Sequence, residues 1–153
     1  MSGEIVNVFE VAVEADETDP PGFRSRMARF GPTLGASQLG ASVYDLDPGE
    51  AVCPYHYEFP EEEWLLVLAG RPTLRDPDGE HELEEGDLVL FPVGPDGAHK
   101  VTNRTEGLVR ILMLSTKTET AVAVYPDSGK VGVWPLGKLF RLADAVDYYD
   151  GEP

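Results

Sequence analysis

The side chains most able to do chemistry are two histidines and the carboxylates near them. The first lies in Pro54-Tyr55-His56-Tyr57-Glu58-Phe59-Pro60-Glu61-Glu62-Glu63-Trp64, and the second closes Gly94-Pro95-Asp96-Gly97-Ala98-His99. In a strand, residues i and i+2 share a face, so His56 and Glu58 project together. A turn at Pro60 lets Glu63 open the next strand and return to that face. Two imidazoles converging with carboxylates inside a barrel form a divalent-metal site. The competing reading is that His-x-Glu arises by chance in an acid-rich chain and that the histidines are structural. The third histidine, His81, sits in Gly79-Glu80-His81-Glu82 and reads as a solvated turn residue.

The elements that must position these groups are short strands. Thirteen prolines and 16 glycines separate brief apolar runs across 153 residues, the pattern of a sandwich or barrel. Strands are expected over 39–46, 52–58, 63–69, 72–74, 80–83, 87–91, 99–103 and 108–115. The turns have mechanisms: Asp47-Pro48-Gly49, Asp76-Pro77-Asp78-Gly79 and Glu84-Glu85-Gly86-Asp87 place Gly where positive φ costs little. Residues 1–38 read as a loop-like arm broken at Pro20-Pro21-Gly22 and Gly31-Pro32. Beyond 116, strands are expected over 121–125 and 131–133. Leu139, Leu142, Val146 and Tyr149 carry a weak helical period over 137–149. Ser128 reads as a turn residue, since Gly-x-x-x-x-Gly-Lys is absent. The runs 64–69 and 109–114 are apolar on nearly every residue, so both strand faces need burial. The terminal arms or a second subunit must cover the outer face, and a homodimer is expected.

Bulk properties exclude several classes. The net charge is −16, with 28 acidic residues against 12 Lys plus Arg. Such a field repels phosphate backbones, so nucleic acid is not an expected partner. The one basic cluster, 24–29, has no reading helix. No apolar run approaches the roughly 18–20 residues that span a bilayer. One cysteine, Cys53, permits no intramolecular disulfide and reads as a structural thiol. The expectation is a soluble, cytoplasmic protein without a secretory signal and without membrane association.

One set of spacings sharpens the reading. Gly49, His56, Glu58, Glu63 and Gly70 are followed by Gly86, Pro92, Gly94, His99 and Asn103. This order resembles the two motifs of the cupin superfamily, and the flanks are similar to small single-domain bacterial or archaeal cupins of the conserved-barrel type. The resemblance spans about residues 39–115. It departs in three places: Glu58 stands at the second histidine of His-x-His, one residue is added between Gly49 and His56, and two are added before His99. The resemblance implies an all-β fold, a small double-stranded β-helix or jelly roll with N-terminal (1–38) and C-terminal (116–153) arms in one domain. It also implies a ligand set of His56, Glu58, Glu63 and His99 for Mn, Fe, Zn or Ni. His56, Glu58 and His99 alone have the form of a facial triad that leaves positions for O₂ and substrate. Arg104 or Arg110 would then anchor a substrate carboxylate. Tyr55, Tyr57, Phe59, Trp64 and Phe91 are expected to line the barrel or its rim. Two functions stay open: a metal-dependent enzyme doing oxygenase- or isomerase-like chemistry on a small polar molecule, and a non-catalytic binding or storage module.

Overall fold

A computed structural model describes residues 4–153. The N-terminal segment supplies β1 (Glu14–Ala15) and β2 (Arg26–Arg29). The middle of the chain supplies β3 (Leu39–Leu46), β4 (Tyr57–Phe59), β5 (Glu63–Ala69) and β6 (Thr73–Asp76). It continues with β7 (Gly79–Glu82), β8 (Leu88–Phe91), β9 (Lys100–Thr102) and β10 (Val109–Thr116). The C-terminal segment adds β11 (Val122–Tyr125), β12 (Lys130–Val133) and β13 (Lys138–Arg141). The described residues hold only short 3-10 turns and no α-helix.

Three antiparallel sheets form a jelly-roll barrel. A six-stranded sheet in the order β1-β2-β3-β10-β5-β8 makes one wall. A four-stranded sheet, β13-β12-β11-β4, and a three-stranded sheet, β7-β6-β9, make the other. Isolated bridges at Ala51 to Thr102 and His56 to His99 stitch this second wall together. His56 immediately precedes β4 and His99 immediately precedes β9, so the histidine bridge lies on the seam between the two smaller sheets.

Strand parity explains the double burial of the central strands. Leu46, Leu65, Val67, Val109 and Ile111 point into the barrel and pack with Leu74 and Val101 of the opposite wall. Their strand neighbours Val43, Leu66, Leu68 and Leu112 point outward, where Phe30, Val6, Val8, Val11 and Val13 cover them. Each such side chain removed from water contributes on the order of 2 kcal/mol. Arg110 ties the cover down: its guanidinium donates to the carbonyls of Val8 and Val11 and lies 3.5 Å from Asp45. The N-terminal arm is therefore a structural layer of this chain. Two expectations require correction. Residues 1–38 are not wholly loop, because β1 and β2 extend the six-stranded sheet. The helical period at 137–149 is instead β13 paired on β12, followed by one 3-10 turn at Leu142–Asp144.

The spaced glycine and asparagine have structural reasons. Gly70 adopts φ +81°, and a Cβ there would lie 2.7 Å from the Leu108 carbonyl oxygen. Asn103 is fully buried; its Nδ2 donates to Leu46 O at 2.8 Å and Gly107 O at 2.7 Å. Its Oδ1 accepts from the amide and hydroxyl of Thr105. Asn103→Ala orphans these buried groups, so urea denaturation should show a loss of about 3 kcal/mol, with the fold retained. A loss within measurement error would show that the turn holds itself.

Candidate metal centre

The backbone fixes both imidazoles. His56 N donates to His99 O at 3.1 Å, and His99 N donates to His56 O at 2.8 Å. This reciprocal pair sets the rings side by side, with centroids 4.7 Å apart. In each ring Nδ1 faces a carbonyl oxygen, Pro54 O at 3.1 Å for His56 and Gly97 O at 2.8 Å for His99. A carbonyl only accepts, so Nδ1 carries the proton and Nε2 presents its lone pair. Phe91 stacks flat on His99 at 3.7 Å and locks its orientation.

The carboxylates arrive from both walls. Glu63, the first residue of β5, reaches across from the large sheet. Its Oε2 lies 3.8 Å from His56 Nε2 and 3.4 Å from His99 Nε2. Glu58, in β4 two residues beyond His56, places Oε1 3.9 Å from His56 Nε2. Ligand atoms of His56, Glu63 and His99 all lie within 4.8 Å of one another. Glu58 flanks that trio on the His56 side.

The donor set fits a divalent ion. Separations of 3.4 to 3.9 Å match neighbouring ligands on an ion with bonds of about 2.1 Å. Both histidines are buried, and burial followed by the neighbouring His56 pulls His99 down to about 3, so it stays a neutral ligand. Burial, and then the charge of Glu63, push Glu58 up to about 8. Burial raises Glu63 to about 7, against the pull of Lys117. Two half-buried carboxyls held together are costly to ionise, and a divalent cation supplies the missing charge.

These residues face a cavity of about 470 Å³, which is open at the barrel mouth. Tyr44, Tyr125, Glu61, Arg29 and Lys117 also line it, and the sequence reading had not assigned them to the site. The period-2 pattern of β3 and β10 was the available signal for Tyr44 and Lys117. Cys53 lies 3.4 Å from His56 Nδ1, and burial pushes its thiol up to about 12, consistent with a packing role. His81 is on β7 rather than in a turn, half-exposed and bonded to Asp76. Arg104 and Arg110 do not line the cavity: Arg104 pairs with Glu80, and Arg110 anchors the N-terminal arm. Of the aromatic residues, Phe91 lies inside, whereas Trp64 points outward and is 38% exposed.

The acid-base balance has a measurable sign in the metal-free protein. Carboxyls raised from 4.5 to about 7 and 8 keep their protons in the fold, so their contribution is present below 4.5 and lost as pH rises through those values. His56 and His99, both lowered by burial from 6.5, cost stability as pH falls through 6.5. Between pH 6.5 and 8 the carboxyls therefore act alone. The Tm of chelator-treated protein should fall across that window, and saturating Mn²⁺ should abolish the fall. A Tm that rises across the window without metal would contradict this.

Comparison with known proteins places the chain. Residues 42–115 match the family model described as a cupin domain. Among curated proteins no significant match was found. A crystal structure of a cupin-superfamily sugar phosphate isomerase from Silicibacter pomeroyi is 25% identical, with a TM-score of 0.80 over 96% of this chain and 98% of that one. A proposed sugar phosphate isomerase from Acidithiobacillus ferrooxidans is 24% identical, with a TM-score of 0.81 over 92% and 91% of the two chains. A polyketide cyclase from Streptomyces resistomycificus is 20% identical, with a TM-score of 0.61 over 74% and 78%. With its motif spacing, histidine seam and jelly-roll barrel all in agreement with that match, residues 42–115 of the chain form a cupin domain.

Proposed function

We propose that this protein is a metal-dependent isomerase of a small, oxygen-rich molecule of the sugar phosphate class. His56, Glu63 and His99 hold the ion, and Glu58 is the fourth protein donor. One observation carries the reading: two imidazoles with Nδ1 committed to backbone carbonyls aim Nε2 at one carboxylate inside an open cavity. The 25%-identical sugar phosphate isomerase, similar over nearly the whole of both chains, supports the reaction class. Mn, Fe, Zn and Ni all suit two nitrogens and two oxygens. When bound, such an ion supplies Lewis-acid polarisation of a substrate oxygen. The chain's own part is to keep the imidazoles neutral and oriented, and to offer the Tyr44 and Tyr125 hydroxyls to substrate oxygens. The 39–115 barrel and its two arms act as one cytoplasmic domain in this reading.

A homodimer belongs to the same proposal. On the outer face of the large sheet, Leu90, Trp64 and Leu114 are cross-strand neighbours, and Leu88 extends the row. All four are exposed, beyond the reach of the N-terminal arm. A second copy covers this patch. Light scattering should return twice the chain mass, and Trp64→Glu should return the single-chain mass; a monomeric wild type refutes the dimer.

Metal analysis tests the centre itself. Protein dialysed against Mn²⁺ should retain about one ion per chain. His99→Ala and Glu63→Gln should each weaken binding by about 100-fold or more, and Glu58→Gln by about tenfold, at the edge of the set. Aldose–ketose interconversion across a sugar phosphate panel should vanish with chelator and return with metal. Undiminished turnover in fully metal-free protein would sink the proposal.

A further inference from the structure

The cavity has a second wall that carries two cations. Ser42 and Tyr44 project inward from β3, Ser115 from the end of β10, Lys117 from just beyond it, and Arg29 from the end of β2. The register places them together: Arg29 pairs with Ser42, Gly40 with Ser115, and Ser115 with Glu63. Arg29 and Lys117 thus sit on the inner face of the same sheet that delivers Glu63, across the mouth from the histidine seam. Gly40 makes room for this arrangement. A Cβ there would lie 2.4 Å from Lys117 Cε and 2.7 Å from Ser115 Oγ. With glycine, the lysine stem lies over the β3 backbone and brings its ammonium to the cavity.

Arg29 and Lys117 are the basic residues that line the cavity, and they differ in their partners. Arg26, Arg71, Arg75, Arg104 and Arg110 each have a carboxylate within 4.0 Å. Among the described residues, Arg29 has no carboxylate at that range. Lys117 has only Glu61 at 3.7 Å, beyond hydrogen-bond length. In a chain of net charge −16, a guanidinium and an ammonium face one cavity beside two serine hydroxyls, with the buried Glu61 carboxylate next to the ammonium.

We propose that Arg29 and Lys117, with the hydroxyls of Ser42 and Ser115, form an anion subsite that takes the phosphoryl end of the substrate. A planar guanidinium fork and an ammonium suit a group with three acceptor oxygens. Asp19, Glu58, Glu61 and Glu63 are the carboxylates around the same cavity, and Glu58 and Glu63 lie at the metal end. The cavity thus sets Arg29 and Lys117, with Glu61 beside the lysine, on one wall and the metal-binding set on the other. The subsite names the substrate end for the function proposed above, and so rests on that reading for its purpose, though its binding does not need the metal.

Calorimetric titration of chelator-treated protein at constant ionic strength separates the two. Inorganic phosphate and a hexose phosphate should bind, and the unphosphorylated hexose should not. Arg29→Gln and Lys117→Gln should each weaken phosphate binding by about tenfold or more, with melting curves confirming that both variants fold. Arg104→Gln, which alters a surface pair outside the cavity, should bind as wild type. If Arg29→Gln misfolds, Arg29→Lys keeps a cation and should bind phosphate more weakly than wild type. Phosphate binding that is absent, or equal in wild type and both glutamine variants, overturns the subsite. The metal analysis above is unaffected by either result.

Discussion

The pair of reciprocal backbone hydrogen bonds between His56 and His99 is the constraint on which the rest of the site depends. It joins the two smaller sheets at their edge strands, and it places two directly opposed side chains on one face. The same segments supply the carbonyls of Pro54 and Gly97 that take the Nδ1 protons. Ring position, tautomer and lone-pair direction therefore come from the backbone. A surface histidine loses rotamer freedom on binding an ion, whereas these two have lost it already in the folded chain.

Charge then divides the cavity. The seam and β5 present acids whose mutual repulsion a divalent cation removes, and the far ends of β2 and β10 present Arg29 and Lys117. Lys117 also draws Glu63 toward ionisation, so the two poles are electrostatically connected. Hydrophobic layers above and below keep these poles in place. Inside the barrel Leu46, Leu65 and Ile111 fill the closed end, while outside Val6, Val8, Val11 and Val13 seal the sheet.

Much of this was legible in the residues, for identifiable reasons. Turn glycines and prolines punctuate the strands from 39 to 115, and Gly70 and Asn103 sit where a Cβ or an unsatisfied amide would not fit, so their spacing carries fold information. The His56, Glu63 and His99 set was readable because each lies beside such a marker. The arms were harder. Arg26–Arg29 pairs as a strand only because β3 offers a hydrogen-bonding edge, which a short basic stretch does not announce. At 137–149, Leu139 and Leu142 show a helical interval, yet pairing on β12 overrides it. Arg110 is, with Arg104, one of two substrate anchors that a facial triad would call for, but parity settles its direction: Ile111 points inward, so its neighbour points out. Arg29 reads as part of a short basic cluster and Lys117 belongs to no motif; only the sheet register brings the two to one mouth.

Anomalous diffraction from crystals soaked in Mn²⁺ tests the central claim most directly. The account predicts one strong peak among His56 Nε2, His99 Nε2 and Glu63, on the side that Glu58 flanks. Peaks confined to the surface carboxylates, with none at the seam, would contradict it.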